Sequence, residues 1–273
     1  MFNSKLMKNF LVAAALIVAL PAAAQIDTWD LTTGVKSSNT TLFDSMSVSG
    51  LLNNNSLTIT GWSDTGTGAT IETGQLKYDS SYGLQLVNND EGVNDNPGHS
   101  IDSYDGDFDM VLLSFDTKVD LTEFSLGWAK EGNNNNRLRS DVSVVAFTGL
   151  GGGNSNISGD TWGDVASSGD WSTVGRYNNV DDYNYQTVTS QVESKYWLIG
   201  AYNSIFANPG ETILNGQNNL TNGNDGFKLA GVKGETSVPP PSIPEPTSFA
   251  ILGLGMLALL FSNRKNSKVN HYM

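Results

Sequence analysis

The chain has 273 residues, no cysteine and a formal net charge of −13. Without a thiol there is no disulfide, zinc–thiolate site or iron–sulfur cluster, and two histidines cannot build a multi-histidine metal centre. The charge is segregated: residues 25–240 hold 27 acids against ten bases, a body that repels phosphate backbones and excludes nucleic acid as a partner.

At the N-terminus, Lys5 and Lys8 precede the apolar run 10–20, then Pro21 and the small residues Ala22, Ala23 and Ala24. Basic, apolar and small-residue regions in that order form the pattern of a secretory signal peptide. Residues 1–24 are therefore expected to leave by signal peptidase cleavage between Ala24 and Gln25.

The body, residues 25–237, shows no sustained helical periodicity. Most of the chain's 29 glycines lie here, and with abundant Asn, Ser, Thr and Asp they favour strands and turns. Residues 57–62, 75–78 and 83–87 are short strand candidates. The densest acidic stretch follows: Asp90, Glu91, Asp95, His99, Asp102, Asp105, Asp107 and Asp109. Calcium takes six to eight oxygen ligands, and the alternation of Asp105, Asp107 and Asp109 would set three carboxylates on one side of an extended segment. Asp102, Asp105, Asp107 and Asp109 are thus candidate calcium ligands, with a solvated acidic loop as the other reading. The spacing does not fit an EF-hand, and no other metal or cofactor is implied.

Residues 110–115 and 196–201 are nearly continuous apolar runs of strand length, which predicts strands covered on both faces. In residues 122–128, Phe124, Leu126 and Trp128 alternate with Glu123 and Ser125, the pattern of a half-buried strand. Residues 142–147 and 227–232 resemble it less cleanly. Gly151-Gly152-Gly153 lacks the Lys-Ser/Thr of a phosphate loop and is a turn. Between these, Trp162, Trp171 and Tyr177, with Tyr183 and Tyr185, sit in a Gly/Ser/Asp-rich region. Aromatic faces there either stack on sugar rings or anchor loops by packing, whereas Trp128 and Trp197 belong to apolar strands.

Catalysis finds little footing. Carboxylates are plentiful, but no spacing singles out a glycosidase pair. His99-Ser100 lacks a Gly-x-Ser-x-Gly elbow. Eight to ten strands separated by turn signals predict an all-β fold, an antiparallel, jelly-roll-like β-sandwich.

The C-terminus carries an ordered set of features. Residues 238–248 form a proline-rich linker containing Pro244-Glu245-Pro246, and residues 238–246 hold five of the eight prolines. Residues 249–261 are uncharged and apolar, and a transmembrane helix over 249–263 would reach roughly 22 Å at 1.5 Å per residue. A bilayer core is about 30 Å thick, so this short span needs flanking residues to reach the interface. Arg264, Lys265 and Lys268 then form a basic stop within the tail 264–273, predicting a cytoplasmic tail and an external body.

Pro-Glu-Pro, an apolar helix and a basic cluster in that order resemble the PEP-CTERM sorting signal. The basic cluster is thinner than the usual arginine-rich ending, and residues 269–273 extend beyond it. The resemblance implies processing by an exosortase, membrane residence before processing, and then the cell surface or extracellular matrix. The body, through Gly83-Leu84, Glu91, His99 to Asp102, Asp109 to Phe115, Phe124 to Trp128, Asp141 to Gly149 and Lys195 to Ala201, resembles the exosortase-dependent surface proteins. The reading is a non-enzymatic, exopolysaccharide-associated surface protein. A carbohydrate-binding module, with or without calcium, and a secreted hydrolase are the alternatives.

Overall fold

A computed structural model describes residues 24–33, 41–90, 99–132, 138–151, 153–207, 220 and 222–236. The first strands are β1 (Gln25–Asp30), β2 (Leu42–Phe43), β3 (Met46–Ser49), β4 (Ser56–Ser63), β5 (Glu72–Asp79), β6 (Gly83–Val87) and β7 (Ile101–Asp102). After a 3-10 turn at Tyr104–Gly106 come the long β8 (Asp109–Glu131), β9 (Arg139–Phe147) and a short helix α1 (Trp162–Ser167). Then follow β10 (Trp171–Asp181), β11 (Tyr185–Thr187), β12 (Glu193–Ala201) and β13 (Asp225–Thr236). The signal peptide, linker, apolar helix and basic tail expected at the two ends lie outside the described residues, apart from Ala24. Among the described residues no helix is long and apolar enough to cross a membrane.

The all-β expectation holds, but two separate sandwiched sheets are not what forms. The thirteen strands make one hydrogen-bonded sheet, ordered β1-β13-β6-β5-β4-β8-β12-β9-β10, and a further β13–β8 pairing closes it on itself. The reason lies in β8. Residues 110–115 and 122–128, separate in the sequence reading, are two halves of one 23-residue strand. Its first half pairs with β4 on one edge and β12 on the other. Its second half pairs with β13.

Side-chain parity along these strands divides the interior. Val111, Leu113 and Phe115 join Val142, Val144, Trp197 and Ile199 in the main core. Met110, Leu112, Val145 and Leu198 point the other way, into a second cluster covered by Ile71, Ile157, Trp162, Val165 and Phe206. Both faces of these strands are therefore dry, as the continuous apolar runs predict. In β4 the strict alternation buries Leu57, Ile59, Gly61 and Ser63 and leaves the residues between them half-buried.

The β8–β13 seam is irregular. Gly127, Ala230 and Thr122 are skipped in its register, and each bulge bends the strand and raises its twist. The bulge at Gly127 has a local cause: a Cβ there would lie 2.2 Å from the Tyr82 carbonyl oxygen. At Gly83, with φ +95, an added Cβ would come equally close to the Leu229 carbonyl oxygen. The bulge also inverts the alternation after Leu126. Ala129 rather than Trp128 enters the core, and Trp128 sits half-buried under the Lys228 ammonium, 5.6 Å from the ring centroid.

Candidate functional site

The acidic stretch is not extended where the calcium reading needs it to be. The 3-10 turn at Tyr104–Gly106 interrupts it, and the side chain of Asp105 lies outside the described residues. Asp107 is half-buried. Asp102 is buried in β7, where Oδ2 accepts from Ser100 Oγ at 2.6 Å and Oδ1 from the Tyr104 N–H at 3.3 Å. Asp109 is fully buried; its two oxygens accept from Asn88 Nδ2 and the Asp102 N–H, each at 3.4 Å. Among the described residues, no three Asp, Glu or His side chains converge as a metal shell.

Folding adds two carboxylates that the sequence did not single out. Asp225 opens β13 and Asp141 lies in β9, both buried. Asp225 Oδ1 accepts from the Asp141 N–H at 2.7 Å, and Asp141 Oδ1 accepts from the Asn179 N–H at 2.7 Å. Burial, then the charge of Asp141, pushes the Asp225 carboxyl up to about 8, although the Asp141 N–H bond opposes this. The Tyr104 hydroxyl is pushed up by burial and by Asp102, Asp225 and Glu131. These residues are 84 positions apart in the chain, so only the fold could reveal them.

The aromatic candidates divide. Trp162 is buried, with Nε1 donating to the Phe108 carbonyl at 3.0 Å and its ring edge-on to Phe206. Trp171 packs edge-on to Phe147 at 5.2 Å, and Tyr177 edge-on to Phe124 at 5.3 Å. None of the three presents an open face, since all are at most 7% exposed. Tyr183 and Tyr185, by contrast, are exposed at 65% and 41%. They flank the same seam as half-buried Tyr82 and Trp128, with Lys228 over Tyr82 and Trp128, and Lys233 3.7 Å from the Tyr185 centroid. The cation–π cluster was invisible in sequence because it joins Tyr82, β8, β11 and β13.

Trp171 does line a cleft of about 320 Å³ beside α1, together with Asn154, Asn156, Ser158, Asp160 and Asp170. The cleft is walled mainly by polar side chains. The helix that borders it begins with a capping box in which Thr161 and Asp164 bond reciprocally.

The remaining candidates lie at the ends. Gln25, the first residue expected after cleavage, opens β1 and pairs with Thr236, and Ala24 precedes it at the surface. Pro244, Glu245, Pro246, Arg264, Lys265 and Lys268 lie outside the described residues. A protein-family model, the PEP-CTERM protein-sorting motif, matches residues 242–265.

The chain carries a PEP-CTERM sorting motif.

That motif spans the Pro-Glu-Pro, the apolar segment and the first two basic residues. It implies an exported protein, processed by an exosortase, whose C-terminal segment is the sorting and anchoring region. No curated protein and no solved structure matches the chain. The PEP-CTERM match concerns the tail, and the role of the body must be argued from its own residues.

Proposed function

We propose that the mature body, released from its signal peptide by signal peptidase and from its tail by exosortase, serves without catalysis at the cell surface or in its exopolysaccharide. The PEP-CTERM match at residues 242–265 is the observation that carries this reading. The order of basic tail and apolar segment agrees with it, because a span of that polarity leaves the acidic body outside.

A non-enzymatic role is supported by where the carboxylates lie. The coupled pair Asp141 and Asp225 is at most 1% exposed, and a glycosidase needs both carboxyl groups within reach of substrate. That pair therefore lends the hydrolase alternative no support.

The carbohydrate-binding alternative is favoured by the tyrosine patch. Tyr183 offers an exposed ring and Tyr185 a partly exposed one, with the Lys233 ammonium, itself bonded to Glu123 at 2.6 Å, over the Tyr185 ring; aromatic rings of this kind stack on sugars. The test is calorimetric titration of the mature protein with exopolysaccharide extracted from its host. We expect binding that falls about tenfold in the Tyr183→Ala/Tyr185→Ala double variant, the equivalent of about 1.4 kcal/mol. Absence of heat with host polymer, or equal binding by the variant, would remove the patch from consideration.

A further inference from the structure

The cleft beside α1 is lined by Asp170, whose carboxylate the fold leaves with one unpaired oxygen. Asp170 is only 6% exposed. Its backbone is held firmly: its carbonyl accepts from the N–H groups of Thr148 at 2.7 Å and Gly149 at 3.1 Å, and its own N–H donates to Ser168 Oγ at 3.1 Å. Oδ2 accepts from the Gly153 N–H at 2.9 Å. Oδ1 is buried and has no hydrogen-bond partner among the described residues. A buried carboxylate oxygen without a donor is costly unless something else supplies positive charge.

The other walls of the cleft are rich in oxygen. Asn154, Asn156, Ser158 and Asp160 stand at alternate positions and all line it, and no lysine or arginine does so. Asn154 Oδ1 accepts from the Asn156 N–H at 2.8 Å, and Asn156 Oδ1 from the Ser158 N–H at 3.1 Å, which folds the loop tightly. Each amide oxygen keeps a second lone pair. Gly159 at φ +84 lets the chain turn before Asp160.

We propose that this cleft binds a calcium ion, with the Asp170 carboxylate as the buried anchor and oxygens of Asn154, Asn156, Ser158 and Asp160 as partners. Two carboxylates with amide and hydroxyl oxygens are a hard donor set, and calcium accepts six to eight such oxygens in flexible geometry, water included. Magnesium demands near-ideal octahedral geometry at shorter distances, which a cleft of about 320 Å³ with neutral amides does not impose. The site is distinct from the Asp102–Asp109 stretch and does not depend on polymer binding or on sorting.

The experiment uses the full chain after EDTA treatment. Terbium luminescence, excited through Trp171 in the cleft wall, and calorimetry with calcium chloride both report occupancy. We expect one site with a dissociation constant of about 10⁻⁴ to 10⁻³ M, the range of extracellular calcium modules. Asp170→Asn and Asp160→Asn should each weaken it by about tenfold or more, as expected when a site loses a charged ligand. Asp107→Asn should leave it unchanged. Asp160 is exposed, so its variant decides the matter if Asp170→Asn does not fold. Absence of calcium binding at about 10⁻² M, tenfold above the expected range, would overturn the proposal. So would binding unchanged in the folded variants, or binding lost in Asp107→Asn instead.

Discussion

Asp225 shows how burial, joined by a neighbouring like charge, can make a carboxyl titrate far from its ordinary range. Its N–H-bonded partner Asp141 is itself an acid, so ionising both places two like charges in a dry site. The folded pKa, up to about 8, stands above the ordinary 3.8. Folding therefore takes up a proton in that window, and stability present below pH 3.8 is lost as the pH rises toward about 8. Groups with lowered values, such as Asp30 and Asp164, act only at more acid pH. Calorimetric melting at about pH 5 and about pH 8 should show a lower Tm at the higher pH. Asp225→Asn keeps an oxygen for the Asp141 N–H and should flatten that slope. Parallel slopes for the two proteins would show that Asp225 is not its source.

At the scale of elements, β8 governs the fold. Its first half is held on both edges by β4 and β12, and its second half reaches β13 through three bulges. Gly127→Ala places a methyl group against the Tyr82 backbone, which cannot swing aside as a side chain can. The variant should lose about 1–3 kcal/mol in denaturant unfolding, the usual cost of forced overpacking. A loss below about 0.5 kcal/mol, the level of an ordinary surface change, would mean the seam tolerates the methyl.

The same strand marks the limits of sequence reading. The two-sided burial of residues 110–115 and 196–201 was legible because apolar runs of strand length state it directly. Trp128 was misplaced because alternation counts residues and does not register a bulge. β10 escaped notice because its Gly, Ser and Asn content resembles a loop and its register shifts twice. The six-residue helix α1 is too short for a 3.6-residue period to emerge. Closure of the sheet was hidden for a different reason: it depends on pairing β8 with a strand about a hundred residues later. Asp170 carried no local signal at all, since its isolation appears only when β10 is packed against the 153–160 loop.

The whole molecule combines an acidic β body, residues 24–237, with two ends of different composition. The acidic balance lies in the body and the basic residues outside it lie near the termini, as expected of a chain that crosses a membrane and is then trimmed. Export and trimming are the claims on which the surface role depends. Intact-mass and terminal-peptide mass spectrometry of the protein, recovered from cells with and without their exosortase, tests them most directly. The account predicts surface material that begins at Gln25 and ends near Pro244-Glu245-Pro246, and a retained tail when exosortase is deleted. A cytosolic chain that keeps Met1, with the same C-terminus in both strains, would contradict it.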